Sequence, residues 1–390
     1  MEKKQILFVV HQLNIGGVQK ALLAALDALD YSRFEVTLYV QQDRTELIGR
    51  VNPNVREIYV NRDKTRYYRR PRAVWYAGLI RAAKAGGKNA EAYTQALNAY
   101  VAEEKLLYEK KRFPFADRQF DVAVAFKQGG PARFAAEAVD AKRKIVLFHG
   151  SVDEDHALHA RILPQFDVIA AVNEGCRDIL RALYPAVAEK ITYIENYVDA
   201  EDVRARAAAY PVDRSDGPAV LCTCGRMTPV KGFDLALDAA ALLRDCGQAF
   251  IWYFVGDGPE RAALEEKTAA LRLEDRVRFT GMLENPCPYI AGCDIYVQPS
   301  REESYGLTIA EAQILGRPVV ATATVGGRSN VRDGETGCIA AVSAADLAEK
   351  TAALLADREL YAHIQEALRR RDCGSAREVF CSVWNALLDG

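Results

Sequence analysis

The sequence predicts an α/β protein with two tandem Rossmann-like domains, each a doubly wound parallel sheet, that face a central cleft. Three observations support this prediction. The chain has 390 residues, more than a single hydrophobic core usually organises. Short apolar runs rich in β-branched residues alternate with longer helical segments over most of the chain. The same alternation starts again after a polar gap that contains proline, glycine and serine.

The first domain is predicted to span residues 1–205. Its strands include "QILFVV", "FEVTLYV", "DVAVAF", "KIVLF" and "DVIAAV", separated by helical segments such as "KALLAALDAL". Continuous apolar strands of this kind are typical of a parallel sheet covered by helices on both faces. Ligands of such sheets bind at the carboxyl ends of the strands, so we expect the functional residues there.

A basic helical insertion interrupts the first domain at about 62–117. Residues 62–72 contain six basic side chains and one aspartate, interleaved with Tyr67 and Tyr68. One interpretation is a solvated insertion, because runs of charge are usually exposed. The other is a patch for an anionic membrane or a phosphorylated acceptor, since each basic residue near an anionic surface contributes about 1 kcal/mol. The sequence leaves both interpretations open.

The second domain is predicted to span residues 206–375. It follows the gap "YPVDRSDGP" and contains the strands "AVLCTCG", "FIWYFVG", "DIYVQPS" and "PVVAT". Residues 376–390 are predicted to form a closing helix that crosses back to the first domain.

Composition excludes several classes of protein. The 51 basic and 53 acidic side chains nearly balance, which argues against a nucleic-acid binder. No window approaches the roughly 18 apolar residues of a membrane span, so we expect a cytoplasmic protein with at most peripheral contact at the inner face of the cell membrane. The nine cysteines lie mostly in apolar segments, as reduced thiols do. Cys222 and Cys224 are expected on opposite faces of one strand, and no metal site is predicted.

Two glycine-containing loops suggest anion binding. Gly16 and Gly17 precede a helix, whose N-terminal N–H groups favour an anionic ligand, and a simple tight turn is the alternative interpretation. In the second domain, Arg226 and Lys231 lie five residues apart after a strand, an arrangement that suits a diphosphate. Surface solvation of these two cations is the alternative interpretation.

A third glycine loop argues against a familiar cofactor. Gly256 and Gly258 follow the next strand in the segment "FVGDGPE", and Gly256 is predicted to be one of the ligand-binding residues. The residue three positions after Gly258 is Arg261 rather than glycine, so the G-x-G-x-x-G pattern of dinucleotide-binding proteins is incomplete. This disfavours a nicotinamide-dependent dehydrogenase.

Two carboxylates lie in the stretch "EESYGLTIAEA". The strand "DIYVQPS" ends just before Glu303, and the N–H groups of Tyr305, Gly306 and Leu307 open the following helix. These N–H groups are expected to bind a phosphate. Glu311, farther along the helix, can bind the two hydroxyls of a ribose, which leaves Glu303 for the group beyond the phosphate. Together with the two cations, this pattern predicts a site for a nucleoside diphosphate that carries a sugar.

The ordered set of motifs resembles the retaining glycosyltransferases of family 4, which have the GT-B fold. The resemblance rests on "GGVQKALL", "CGRMTPVKGFD", "FVGDGPE", "FTGMLENPCPYIAGCDIYVQPS", "EESYGLTIAEA" and "GRPVVATATVGG". Their order and spacing agree over most of residues 1–60 and 118–345. Each motif alone is weak, whereas the ordered set is highly specific.

The resemblance implies a role for individual residues. Arg226 and Lys231 would bind the donor diphosphate, Glu303 would contact the transferred sugar, and Glu311 would contact the ribose. His149, in "KIVLFHGS", matches a family histidine beside the donor sugar.

The N-terminal glycine loop also matches the family. Gly16 and Gly17 resemble its flexible loop near the diphosphate and the acceptor. The resemblance also implies retention of configuration.

The resemblance leaves the substrates open. This chain has Glu303-Ser304-Tyr305-Gly306 where the family often has Glu-Gly-Phe-Gly or Glu-Gly-Phe-Pro, so the sugar is not specified. We expect a UDP-sugar as co-substrate, no cofactor or metal, and a glycan or lipid-linked saccharide as acceptor, in the synthesis of a bacterial cell-surface polysaccharide.

Three alternatives remain at this stage. A nucleotide-sugar epimerase or hydrolase of the same architecture would act on the donor without an acceptor. A non-catalytic nucleotide-sugar-binding protein would retain the site and lose transfer. Asp153 and Asp155 match the D-x-D of single-sheet, metal-dependent transferases, although a surface turn explains them better because a second α/β half follows.

Overall fold

The structure of the protein is a computed structural model that describes residues 2–62, 78–79, 81–82, 85, 90–150, 155–212, 217–370 and 375–390. Its contacts divide the chain into two compact units. The first unit comprises Met1–Ala171, Leu180–Thr192 and Val383–Gly390, and the second unit comprises Val172–Ile179 and Tyr193–Ser382.

The first unit is built on a seven-stranded sheet with the order β3-β2-β1-β4-β5-β6-β7 and parallel pairings. The strands are β1 Lys4–Val10, β2 Phe34–Val40, β3 Glu57–Val60, β4 Phe120–Ala125, β5 Ala141–Phe148, β6 Val168–Ala171 and β7 Ile191–Tyr193. The helices along this part of the chain are α1 Gly17–Asp27, α2 Ala90–Lys110, α3 Gly130–Ala138, α4 His156–Ile162 and α5 Glu174–Leu183.

The second unit repeats this arrangement with a six-stranded parallel sheet of order β10-β9-β8-β11-β12-β13. The strands are β8 Ala219–Cys224, β9 Phe250–Val255, β10 Val277–Gly281, β11 Ile295–Gln298, β12 Val319–Thr322 and β13 Gly337–Ala340. The helices are α6 Ala200–Ala207, α7 Phe233–Asp245, α8 Arg261–Ala270, α9 Cys287–Gly292, α10 Leu307–Ile314, α11 Val325–Asn330, α12 Ala344–Ala356, α13 Arg358–Arg369 and α14 Ser375–Asp389.

Both sheets are parallel and doubly wound, as the sequence analysis predicted. In each sheet the first strand pairs with the second on one side and with the fourth on the other. The central strands are apolar on both faces; Ile6, Leu7, Phe8 and Val9 of β1 are completely buried. The prediction of two parallel-sheet α/β domains is therefore confirmed.

The division between the units differs from the predicted boundary at residues 205/206. The structure places it between Thr192 and Tyr193, and it also assigns Val172–Ile179 to the second unit. The reason is that α6, which the sequence analysis placed at the end of the first domain, packs on α9 and α10 of the second.

The insertion is described only in part. Its long helix α2 is anchored at its end by Glu109, whose Oε1 accepts hydrogen bonds of 3.0 Å from Tyr39 and from Gln41. Of the basic stretch 62–72, only Arg62 lies within the described residues, so the predicted membrane or acceptor patch lies outside them.

The expectation for Cys222 and Cys224 was wrong. Their sulfur atoms lie 3.6 Å apart on one face of β8, because residues i and i+2 of a strand point to the same side. Burial raises the pKa of the Cys222 thiol well above its ordinary value, so this thiol stays protonated at neutral pH.

The end of helix α14 belongs to the core of the first unit. Trp384 is completely enclosed, with its ring 5.9 Å from that of Phe126 and 6.1 Å from that of Phe8. Asn385 extends this contact, because its Oδ1 accepts a hydrogen bond of 2.9 Å from the backbone N–H of Asp30. None of the described helices is long and apolar enough to cross a membrane.

Replacing Trp384 with alanine should destabilise the protein by about 3–5 kcal/mol, because the substitution leaves a cavity among aromatic rings. Urea unfolding followed by circular dichroism measures this change. Val383→Ala is the matched control, since Val383 is 39 % exposed on the same helix and should change stability by less than about 1 kcal/mol. Equal effects of the two substitutions would contradict the role given to Trp384.

Candidate functional site

The candidate site lies where the strand order of the second sheet reverses. Strand β8 has β9 on one side and β11 on the other, so the chain continues from β8 and from β11 toward opposite edges of the sheet. Doubly wound sheets bind ligands at such a position, outside the carboxyl ends of the strands. Arg226 and Lys231 follow β8, and Glu303 follows β11.

Lys231 and Glu303 form an ion pair at this position. Lys231 ends a short 3₁₀ helix, Pro229–Lys231, and its Nζ lies 2.7 Å from Oε2 of Glu303. The side chains are 28 % and 13 % exposed, so the pair is partly shielded from water. Arg226, five residues before Lys231 in the sequence, is exposed to solvent and forms no ion pair within the described part of the chain. The structure therefore brings together a cation and a carboxylate that the sequence predicted separately.

A buried glutamine orients the carboxylate of Glu303. Gln298, at the end of β11, is 2 % exposed. Its Oε1 accepts hydrogen bonds from the hydroxyls of Tyr296 at 2.8 Å and Thr308 at 3.2 Å. Because hydroxyl donors fix the amide oxygen, the amide nitrogen faces the other way, 2.8 Å from Ser300 Oγ and 3.4 Å from Glu303 Oε2.

The loop after β11 is held by its backbone carbonyls. Three successive oxygens each accept a hydrogen bond: the oxygen of Glu303 from the N–H of Gly326 at 2.8 Å, that of Ser304 from Asn173 Nδ2 at 2.5 Å, and that of Tyr305 from Asn330 Nδ2. A carbonyl that is fixed by a partner also fixes the peptide plane. The loop is therefore held rigidly before helix α10 begins.

Two glycines allow the loops to approach each other closely. A β-carbon at Gly326 would lie 2.8 Å from the carbonyl of Tyr305 and 2.9 Å from Cγ of Glu303. Gly306, which precedes α10, has φ +85°, a conformation that disfavours other residues. The N–H group of Leu307 at the start of α10 has no acceptor within the helix, as the predicted phosphate site requires.

Arg301 ties the Lys231 loop to the Glu303 loop. Its guanidinium forms a fork with Asp234 on α7, at 2.7 and 2.8 Å, and also donates to the carbonyl of Pro229 at 2.9 Å. Its backbone N–H donates to the carbonyl of Val230 at 2.8 Å. The hydrogen bond from Arg301, together with its positive charge, holds the pKa of Asp234 below its ordinary value, although burial acts in the opposite direction.

Glu311 lies on α10 and contacts a residue that the sequence analysis did not identify. Its side chain is 2 % exposed, and its Oε1 lies 3.3 Å from a guanidinium nitrogen of Arg206 on α6. Burial lowers the pKa of Arg206, but the charges of Cys287, Glu311 and Asp202 outweigh it, and the pKa is raised overall. The guanidinium therefore remains charged beside Glu311.

Gly256 has a packing role in addition to the predicted ligand role. A β-carbon at this position would lie 1.9 Å from the carbonyl oxygen of Gly225, and φ is +140°. The loop after β9 therefore lies directly against the loop that carries Arg226.

The other predicted site residues belong to the first unit. Gly16 and Gly17 begin helix α1, and His149 directly follows β5. The ring of His149 stacks on Phe126 with centroids 4.8 Å apart, and its Nε2 is buried without a hydrogen-bond partner among the described residues. Burial, followed by the charge of Lys127, lowers the pKa of His149 to about 3, so the ring is neutral at physiological pH.

Of the D-x-D pattern, Asp155 lies within the described residues and Asp153 lies outside them. Asp155 caps α4, with Oδ1 accepting a hydrogen bond of 3.2 Å from the N–H of Leu158. Within the described residues, no group of three or more His, Cys, Asp or Glu side chains is arranged to hold a metal.

The residues of the site that the sequence analysis missed include Asn173, Arg206, Gln298 and Asn330. A weak signal existed for Gln298, because a polar residue at the end of an otherwise apolar strand is unusual in a buried parallel sheet. Nothing local distinguishes the other three.

Comparison with known proteins finds a family model that matches part of the second unit. Residues 218–357 match the family model for glycosyl transferases group 1. These residues contain β8 and β11 and the ion pair between Lys231 and Glu303.

Sequence relatives match about half of the chain. A lipopolysaccharide core biosynthesis glycosyltransferase, LpsE, from Rhizobium meliloti is 30 % identical over 192 residues, which cover 47 % of this chain and 55 % of the relative. The chain thus spans about half the length of this curated relative.

Solved structures match nearly the whole chain. Anabaena HepE, in complex with UDP and glucose, has a TM-score of 0.67 at 19 % identity, covering 97 % of this chain and 99 % of that one. A mutant of S. aureus TarM, in complex with fondaparinux, alpha-GlcNAc-glycerol and UDP, has a TM-score of 0.70 at 14 % identity, covering 98 % and 100 %. These similarities confirm the tandem Rossmann-like GT-B fold.

Gly326→Ala should destabilise the protein by about 1–3 kcal/mol, because the added methyl group overlaps the loop that carries Glu303. Gly49→Ala is the control, since nothing lies within 4 Å of a β-carbon built there. Urea unfolding compares the two variants. An unfolding midpoint for Gly326→Ala as high as that of the wild type would show that the loop carrying Glu303 accommodates the added methyl group without strain.

Asp234→Asn should lower stability by less than about 1 kcal/mol at neutral pH, because the pair with Arg301 is 35–40 % exposed. The folded-state pKa of Asp234 is depressed, so the pair's contribution is fully present above the unfolded pKa of about 3.9 and is lost as pH falls through the lower, folded pKa. The difference between wild type and variant should therefore be constant between about pH 5 and 7 and shrink in stronger acid. Unfolding measured at several pH values tests this, and a difference that widens in acid would refute it.

Proposed function

We propose that the protein is a retaining glycosyltransferase that moves a sugar from a nucleoside diphosphate donor, a UDP-sugar, to a hydroxyl group of a glycan or lipid-linked saccharide. The observation that carries this proposal is the ion pair of Lys231 and Glu303 at the point where the strand order reverses, inside a group 1 domain. Two of the structural neighbours were solved in complex with UDP, which supports the choice of nucleotide.

The negative charge of the leaving diphosphate explains why the site contains cationic side chains. As the bond between the sugar and the diphosphate breaks, negative charge accumulates on the phosphate oxygens. Lys231, Arg226 and the N–H groups at the start of α10 are the groups of the second unit that can stabilise this charge. Preorganised charges of this kind are usually the largest contribution to catalysis, and two cations make a metal ion unnecessary for neutralising the diphosphate.

Glu303 is assigned to the sugar. Its carboxylate is held between Lys231 Nζ and Gln298 Nε2, so its position does not depend on the substrate. A carboxylate accepts hydrogen bonds only, which suits sugar hydroxyls and a developing positive charge on the ring. In a retaining transfer, the new bond forms on the face that the diphosphate leaves, and the proton of the attacking hydroxyl passes to a phosphate oxygen.

Neutral His149 is assigned to the donor sugar, as the family resemblance implies. Its low pKa means that the ring cannot supply a positive charge, so its contribution would be a hydrogen bond to a sugar hydroxyl. For the acceptor, we propose a bacterial cell-surface glycan, supported by the lipopolysaccharide relative.

A panel of nucleotide sugars scored by thermal unfolding tests the donor. A ligand held at one hundred times its dissociation constant adds about 2.7 kcal/mol of stability. The donor that stabilises the protein is then incubated with a panel of saccharides, and release of UDP is measured with and without each acceptor. Release that is equally fast without an acceptor would favour a hydrolase or epimerase, and binding without release would favour a non-catalytic binding protein.

Lys231→Ala should lower the rate of acceptor-dependent UDP release by about 10²-fold, because one stabilising charge on the leaving group is lost. It should also weaken UDP binding. Lys350→Ala on α12 is the control for the loss of a lysine and should leave the rate unchanged. A Lys231→Ala rate within threefold of wild type would remove this residue from the mechanism.

A further inference from the structure

The guanidinium of Arg206 joins three elements of the second unit beside Glu311. It lies in the last turn of α6 and is 19 % exposed. Its nitrogen atoms lie 2.7 Å from Asp202 Oδ2, 2.9 Å from Cys287 Sγ and 3.3 Å from Glu311 Oε1. One side chain thus contacts its own helix, the start of α9 and the second turn of α10.

Arg206 is itself held in place by backbone contacts. Its carbonyl oxygen accepts a hydrogen bond of 2.7 Å from Asn285 Nδ2, and Asn285 Oδ1 in turn accepts one of 3.2 Å from the N–H of Cys287. The hydroxyl of Tyr210 donates to the carbonyl of Asn285 at 2.7 Å. The end of α6 and the start of α9 are therefore fixed to each other, and the backbone that carries the Arg206 side chain has a fixed position.

The burial of Glu311 makes a cationic partner necessary. A carboxylate that is 98 % shielded from water loses most of its hydration, which is costly unless a positive charge and hydrogen bonds replace it. Arginine suits this position better than lysine, because its planar guanidinium can reach several acceptors at once in a fixed geometry. Removing the guanidinium withdraws a positive charge and a hydrogen bond from this carboxylate.

We propose that Arg206 is a positioning residue that holds the Glu311 carboxylate for the two hydroxyls of a ribose, so that the protein distinguishes ribonucleotide donors from deoxyribonucleotide donors. This inference rests on the proposed function, because it takes Glu311 as the group that contacts the ribose. A charged carboxylate has two oxygens that can each accept hydroxyl donors, whereas a displaced one cannot meet both hydroxyls. Arg206 acts through Glu311 and does not touch the reacting atoms.

Calorimetric titration with three probes tests the inference: UDP, 2′-deoxy-UDP and inorganic pyrophosphate. The wild type should bind UDP about tenfold more tightly than 2′-deoxy-UDP, as expected for one hydrogen bond to a charged group. In Arg206→Gln the ratio should fall below about threefold, while the affinity for pyrophosphate stays the same. Pyrophosphate is expected to bind Lys231, Arg226 and the N–H groups at the start of α10 without contacting Glu311, so only a general disturbance of the domain would weaken its binding as well.

Two further variants keep the test decisive. Arg206→Lys keeps the charge and loses the planar set of nitrogen donors, so its ratio of UDP to 2′-deoxy-UDP affinity should lie between those of the wild type and Arg206→Gln. This variant replaces Arg206→Gln in the test should the glutamine variant fail to fold. Arg204→Gln removes an exposed arginine two residues away on α6 and should leave all three affinities unchanged.

The outcomes separate this inference from the proposed function. An unchanged ratio in the Arg206 variants, or a parallel loss of pyrophosphate binding, would overturn the positioning role alone. A wild type that binds UDP and 2′-deoxy-UDP equally would overturn both the positioning role and the ribose contact of Glu311, while leaving the diphosphate site intact. A wild type that binds neither UDP nor pyrophosphate would overturn the proposed function and this inference together.

Discussion

The site depends on loops of the second sheet that approach each other without side chains between them. A β-carbon at Gly232 would lie 2.1 Å from the carbonyl oxygen of Pro299, so the loop after β8 rests directly on the loop after β11. Gly326 allows the same closeness between the loop after β12 and Glu303. Only this contact of backbone on backbone lets Lys231 Nζ reach the Glu303 carboxylate at 2.7 Å. Larger residues would separate the groups that the chemistry needs together.

The two glutamates of the site acquire different roles from different partners. Glu303 is oriented by Lys231 and by the buried amide of Gln298, and it remains partly exposed, so a ligand can reach its carboxylate. Glu311 is almost completely buried against the guanidinium of Arg206, which favours one fixed position for its carboxylate oxygens. Two identical side chains eight residues apart thus differ in their surroundings, and their surroundings determine what each can bind.

Sequence reasoning predicted candidate site residues on loops after strands, because motif spacing and the parallel-sheet rule are local signals. It placed Arg226, Lys231, Glu303 and Glu311 in the second domain, where the structure has them. It missed Asn173, which holds the carbonyl of Ser304 from 131 residues away, and Arg206, which lies 105 residues from Glu311. It also divided the domains at residue 205, since a helix pattern does not show which sheet the helix packs on.

By itself, the sequence determined the alternation of strands and helices, the buried character of the strands and the loops that carry charge, because periodicity and glycine placement act over a few residues. Only the tertiary structure decided which loops become neighbours, which side of Gln298 faces Glu303 and which cation accompanies Glu311. Those choices depend on strand order and on helix packing, which join residues that are distant in the chain. The local sequence therefore determines which groups are available to the site, and the tertiary fold determines which residues contact them.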